Sequence, residues 1–336
     1  MSSGLQTSAL GSKLRSQLVD RRSRLESAIG EADQPADLLR LLTEVDAALS
    51  RLDGNGYGVC LACQGTVEES DLQANPMASY CLCELTPERQ RALERDLDLA
   101  WHVQAALLPA LGLTAAGWQT HYRYLPHGPV SGDYCDLVVS ERGSSLSFML
   151  GDVSGKGVAA SLLMAHLNAS LRASARNGLA PEEALEEANR LLGESTLASH
   201  YATLACGRAH ASGEVEVVNA GHCAPLLVRS NGSVERLEAG GLPLGLAFAA
   251  ETRARYPVER AVLGGGDTLV LYTDGLTEAA NSREDEYGSE RLARVLACCA
   301  GKSPRELIGK CLADLTAFLG GASLADDLTI LALGPG

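Results

Sequence analysis

Five aspartates lie where short apolar runs meet tight turns: Asp133, Asp152, Asp274 and the adjacent pair Asp326-Asp327. Asp152 follows the run Leu146 to Leu150 and stands in Gly151-Asp152-Val153-Ser154-Gly155-Lys156-Gly157. Taken singly, an aspartate beside glycine is ordinary turn chemistry. Four repeats of that setting at strand edges point instead to convergence. Gathered carboxylates repel one another and raise each other's proton affinity, and a divalent cation removes that cost. All-oxygen ligation selects Mg²⁺ or Mn²⁺ over zinc. Two such ions clamp a phosphoryl group for in-line displacement, with no Ser or Cys nucleophile needed.

A second group suits a softer metal. Cys60-x2-Cys63, a seventeen-residue gap and Cys81-x-Cys83 form two thiolate knuckles of the kind that complete a Zn²⁺ tetrahedron. No spare acid or base accompanies them, so this zinc reads as structural. Cys135, Cys206, Cys223, Cys298, Cys299 and Cys311 are scattered in apolar contexts and read as buried thiols.

The elements that position these groups differ along the chain. Leu14 to Ala28 and Leu38 to Leu52 have helical spacing around a Gly30 to Pro35 turn, which predicts an antiparallel helical hairpin. Thr86-Pro87-Glu88 starts another helix that proline stops at Leu108-Pro109. Leu93, Leu97, Ala100, Gln104 and Leu107 make its seam, suited to a coiled coil or to docking on its own domain. From Gly117 the texture changes to short strand-like runs, the last being Leu328 to Leu333. Asn231-Gly232 and Ser212-Gly213 make hairpin turns. Helices are expected at Val158 to Arg176, Pro181 to Leu192, Ser289 to Cys298 and Pro304 to Leu319. Tight turns make successive strands antiparallel, which disfavours a doubly wound nucleotide fold. The expected fold is α+β: an antiparallel β-sandwich with helices on both faces, after a small helical-hairpin and zinc-finger domain.

Composition sets the outer limits. A chain of 336 residues accommodates one large domain and a smaller one. A formal net charge of −14 excludes a nucleic-acid surface and suits handling an anionic substrate through metals. No run approaches the roughly 18 apolar residues of a membrane helix. Met1 to Gly11 lacks the basic start and apolar run of a secretory signal, and the cysteines cluster as for metal, so a cytoplasmic location is expected.

Two resemblances extend this reading. Tyr57-Gly58-x-Cys60-x2-Cys63 after a helical hairpin, with Asn75-Pro76 before Cys81, resembles the DksA/TraR zinc-finger family. The family closes with a two-residue gap where this chain has only Leu82, so the fourth ligand is Cys83 or Glu84. Further along, six motifs occur in order. They are Ser131-Gly132-Asp133-Tyr134-x-Asp136, Gly151 to Gly157, Asn219-Ala220-Gly221-His222, Gly241-x-Pro243-Leu244-Gly245, Tyr272-Thr273-Asp274-Gly275-x-Thr277-Glu278 and Asp326-Asp327-x-Thr329. Together they resemble the SpoIIE/RsbU-type branch of the metal-dependent serine/threonine protein phosphatases. That resemblance implies one metal on Asp133, Asp152 and the Val153 carbonyl, and another on Asp152, Asp274 and Asp326, with Asp327 a second-choice ligand. Ala100-x-x-x-Gln104-x-x-Leu107-Leu108-Pro109 resembles the helix that precedes this domain in relatives, where it couples a sensor to activity and supports homodimers.

The domains expected are 1–85 for the hairpin and finger, 86–112 for a linker helix and 113–336 for the phosphatase. The implied function is hydrolysis of phosphoserine or phosphothreonine on a regulatory protein, a phosphorylated anti-sigma-factor antagonist of the STAS type. Control would come from the zinc module. The alternative is a non-catalytic regulator that binds RNA polymerase or a sigma-regulatory partner through the finger. Other candidates weigh less. Gly155-Lys156-Gly157 lacks the spaced glycine and following Ser or Thr of a phosphate loop. His222 reads as support near the Asn219 turn, and Glu278 as orienting the site or capping a turn.

Overall fold

The computed structural model describes residues 9–31, 36–54, 56–61, 66–79, 87–195, 201–238, 240–246 and 256–336. The chain divides into two compact units, Met1–Glu94 and Arg95–Gly336. No helix among the described residues is long and apolar enough to cross a membrane.

In the first unit α1 (Ala9–Glu31) and α2 (Ala36–Asp53) form the expected hairpin, followed by the short α3 (Glu69–Ala74). Arg22 Nε donates to Asp46 Oδ1 at 2.8 Å, and Arg15 pairs with Asp53, so the two helices run antiparallel. Leu14, Leu18, Val45, Ala48 and Leu52 meet Tyr57, Cys60, Val67 and Leu72 in one small core. The Tyr57 hydroxyl donates to the Pro76 carbonyl at 2.6 Å and pins the turn to that core. Cys63, Cys81, Cys83 and Glu84 lie outside the described residues. Of the expected zinc ligands only Cys60 is placed, and it is buried.

Helix α4 (Pro87–Leu107) leads into the second unit. There β1 (Thr114–Ala115), β2 (Trp118–Leu125), β3 (Asp133–Val139) and β4 (Ser145–Val153) precede helices α5 (Val158–Arg176) and α6 (Pro181–Ser195). Strands β5 (Ala202–His210), β6 (Glu214–Ala220), β7 (Leu226–Val228), β8 (Val234–Arg236), β9 (Glu259–Val262) and β10 (Thr268–Tyr272) follow. The chain ends with α7 (Asp274–Thr277), α8 (Ser289–Ala297), α9 (Pro304–Leu319) and β11 (Leu328–Pro335). The strands form two sheets, in the orders β1-β2-β11-β10-β7-β8 and β3-β4-β5-β6-β9. Every pairing within them is antiparallel.

Both faces of the central strands are covered, which explains their unbroken apolar runs. In β4, Leu146, Phe148 and Leu150 point between the sheets, where they meet Leu269 and Leu271 of β10 and Leu331 and Leu333 of β11. The alternate residues Met149 and Val153 face α5 and α6. In β10 and β11, Val270, Tyr272, Leu328, Ile330 and Ala332 face α8 and α9. The late helix α9 is fixed at its start by Ser303, whose hydroxyl accepts from the Glu306 amide while the Glu306 carboxylate accepts from the Ser303 amide.

Strand β3 begins at Asp133, which pairs opposite Asp152, and holds Asp136 in its interior opposite Met149. A charge in that strand interior is tolerated because Arg172 of α5 meets Asp136 at 3.0 and 3.1 Å. Strand β9, charged and half exposed, pairs at the sheet edge and carries little apolar signal.

A carboxylate cluster at one end of the sandwich

The start of β3 and the end of β4 share one end of their sheet, as do the end of β10 and the start of β11 in theirs. Side chains join the two ends. Thr273 Oγ1 donates to Asp133 Oδ2 at 3.1 Å, and the Thr329 hydroxyl donates to the same oxygen. Asp327 reaches the other way. Its Oδ1 accepts from the His127 amide at 2.7 Å and its Oδ2 from the Gly132 amide at 3.0 Å. All five aspartates singled out by spacing therefore belong to this end of the molecule.

Glycine permits the close approach. A Cβ on Gly132 would stand 2.9 Å from the Val153 carbonyl oxygen and 3.0 Å from Asp152 Oδ1. A Cβ on Gly275 would stand 1.9 Å from the Asp327 carbonyl oxygen. Backbone after Asp274 thus lies directly against backbone at Asp326-Asp327, and only glycine fits there.

Exposure is graded across the cluster. Asp133 is 2% exposed, Asp152 and Asp327 are half-buried, and Asp274 and Asp326 are exposed. Electrostatics record their proximity. Burial first, then the charges of Asp274, Asp326 and Asp327, push the Asp152 carboxyl up to about 7. Burial and Asp326 raise Asp274, and Asp274 itself is the main cause of the upward shift at Glu278. Asp133 is driven well above the usual carboxylate range by burial, against the hydrogen bond from Thr329. Lys156 is the cation that answers this charge, with Nζ 2.9 Å from Asp326 Oδ2 and 3.0 Å from the Ala325 carbonyl.

These donors fit a hard divalent cation by chemistry: anionic oxygens, mutually repelling, beside a backbone carbonyl. Among the described residues no three His, Cys, Asp or Glu side chains close into a ready cage. The fit therefore rests on donor type and charge rather than on a finished ligand polyhedron.

Support comes from residues that the sequence marked only as a helix-seam or motif position. Gln104 of α4, 5% exposed, donates to the Ser131 carbonyl at 2.7 Å and accepts from the Ser131 amide at 3.0 Å. Ser131 Oγ in turn accepts from the Asp133 amide at 3.1 Å. His222 sits where support was expected. Its amide donates to Asn219 Oδ1 at 2.7 Å, and its Nδ1 lies 2.8 Å from Thr203 Oγ1, opposite Asp152 in the sheet. Burial lowers the ring to about 4, so it is neutral at neutral pH. For Thr273 and Thr329, the one sequence clue was a hydroxyl next to, or two residues beyond, a candidate aspartate.

Comparison with known proteins agrees with this architecture. Protein IcfG of Synechocystis sp. is 23% identical over 266 residues, which cover 71% of this chain and 41% of IcfG. Phosphoserine phosphatase RsbU of Bacillus subtilis is 25% identical over 248 residues, 73% of this chain and 71% of RsbU. This chain thus spans less than half the length of IcfG. The SiaA-PP2C domain of Pseudomonas aeruginosa superposes with a TM-score of 0.62 at 22% identity, over 73% of this chain and 97% of that one, so the second unit has the fold of that domain. The family model for stage II sporulation protein E (SpoIIE) matches residues 142–335, more than half of the chain, and the chain belongs to the SpoIIE family.

Proposed function

We propose that this chain is a Mn²⁺- or Mg²⁺-dependent protein serine/threonine phosphatase. Its substrate would be phosphoserine or phosphothreonine on a regulatory protein, a phosphorylated anti-sigma-factor antagonist of the STAS type. The observation that carries this reading is the gathering of strand-end carboxylates in a member of the SpoIIE family, with Asp152 raised by burial and then by its acidic neighbours. The printed name of the relative RsbU, a phosphoserine phosphatase, supports the substrate class.

Asp133, Asp152 and the Val153 carbonyl would hold one cation, and Asp152, Asp274 and Asp326 the other. Asp327 stays the second-choice ligand, since both its oxygens already hold backbone amides of the 127–132 loop. Such cations supply Lewis acidity that activates water and offsets the charge of a phosphoryl group. The chain's own residues do the positioning. Asp133 anchors the deep side, whereas exposed Asp274 and Asp326 face the side open to a protein substrate. Lys156, on the glycine-flanked turn beside Asp326, offers an ammonium to an incoming phosphate.

The remaining parts of the proposal concern the N-terminal region. A structural Zn²⁺ on Cys60, Cys63, Cys81 and either Cys83 or Glu84 would organise residues 1–85, and residues 86–112 would transmit control and support a homodimer. Residues 113–336 would carry the activity, in the cytoplasm. The test is Mn²⁺-dependent release of phosphate from p-nitrophenyl phosphate and a phosphoserine protein. Asp152→Ala and Asp274→Ala are each expected to lower turnover by about 100-fold or more, as loss of several kcal/mol of charge stabilisation requires. Unchanged turnover in both variants would reject the metal assignment.

A further inference from the structure

Asp133 is the deepest of the clustered carboxylates, and two hydroxyls from the opposite sheet converge on one of its oxygens. Thr273 directly follows β10 at the start of α7, Thr329 lies in β11, and both are fully buried. Thr329 Oγ1 and Thr273 Oγ1 both donate to Asp133 Oδ2. The threonines are also tied to each other. The Thr329 amide donates to Thr273 Oγ1 at 2.9 Å, and the Thr273 amide donates to the Thr329 carbonyl at 3.0 Å. Thr273 Oγ1 accepts from the Thr329 amide and donates to the carboxylate at 3.1 Å, with the Thr329 carbonyl a longer second acceptor at 3.4 Å.

We infer that Thr273 and Thr329 are positioning residues that fix the rotamer of Asp133, holding Oδ2 and leaving Oδ1 for a divalent cation. The inference rests on the cation-site reading above. A short carboxylate in a strand has freedom at its last torsion. A single donor leaves it free to swing about that contact, whereas two donors from separate segments define its plane. The donors also come from the sheet opposite to the one carrying Asp133, so they set the distance between the two halves of the cluster. Hydrogen-bonded partners behind a ligand commonly decide its orientation, and losing one costs about 10- to 100-fold in metal affinity.

Thr329 gives the cleaner test, because replacing Thr273 also removes the acceptor of the Thr329 amide. The full-length protein is stripped of metal, its melting temperature is recorded, and Mn²⁺ is titrated in by calorimetry. Thr329→Val keeps the shape and removes the hydroxyl. Its Mn²⁺ dissociation constant is expected to rise about 10- to 100-fold. Thr329→Ser restores the donor and is expected to bind as the wild type does. Thr329→Ala, which adds no bulk, carries the same comparison if the valine variant does not fold.

The outcomes separate the two claims. If Asp152→Ala abolishes Mn²⁺ binding while folded Thr329→Val or Thr329→Ala binds as the wild type does, the clamp is wrong and the site stands. A lower metal-free melting temperature with unchanged Mn²⁺ affinity also overturns it, since that is what a purely structural threonine gives. If wild type and Asp152→Ala bind Mn²⁺ equally, or neither binds it, the site reading fails and takes the clamp with it.

Discussion

Asp136 shows how one charged residue is accommodated inside a strand. It is fully buried and bound by Arg172, yet burial outweighs the guanidinium and lifts its carboxyl up to about 6. In the unfolded chain an aspartate titrates near about 3.9. The folded state therefore binds this proton more tightly, and its contribution to stability is complete below that value. It is lost as pH rises through about 6. Relative to Asp136→Asn, the metal-free wild type is expected to lose melting temperature between about pH 4 and pH 6.5. Parallel melting curves for the two proteins would contradict this account. The same residue ties α5 to β3, so the helix that leaves the Gly151–Gly157 turn is anchored one strand away from Asp152.

Gln104 fastens helix α4 to the segment that carries Asp133. The Gln104 amide satisfies both backbone groups of Ser131, whose hydroxyl holds the Asp133 amide. Gln104→Leu would leave a buried N–H and a buried C=O without partners, at about 1–3 kcal/mol each. The expected result is a lower melting temperature and faster hydrogen exchange at the Ser131 amide. Gln104→Glu keeps the acceptor for that amide but loses the donor to the carbonyl. It should therefore retain protection at the amide while still losing stability. Equal protection in the leucine variant would remove Gln104 from this role. The β10–α7 corner rests on sterics instead, since the Gly275 backbone lies against Asp327 with no room for a side chain.

At the scale of the molecule, the two units have separate cores. Leu18 packs with Val45, Leu72 and the turn at Tyr57, whereas the cluster is framed by the two sheets and their helices. Leu18→Ala removes a fully buried side chain, at about 2–5 kcal/mol. Calorimetry is expected to show a lower transition for the N-terminal unit, with Mn²⁺ titration of the cluster unchanged. A matching shift in both transitions would mean that the units unfold together. The acidic net charge fits a site built from carboxylates, with Lys156 bound to Asp326 among them.

Much of this was legible in the chain itself. Apolar runs bounded by glycine turns marked the central strands, and periodicity marked α5, α6, α8 and α9, because burial on a fixed period leaves a local trace. The aspartates stood out for the same reason, each at the edge of such a run. What tertiary structure alone decided was who meets whom. Thr273 and Thr329 stand 140 and 196 residues from Asp133, and Asp327 stands 195 from Gly132, so no local pattern records those contacts. Gln104 looked like one more position on a helix seam until the fold set it against Ser131. Strand edges announce themselves in sequence, whereas the hydrogen bonds that aim a carboxylate exist only once two sheets have been laid face to face.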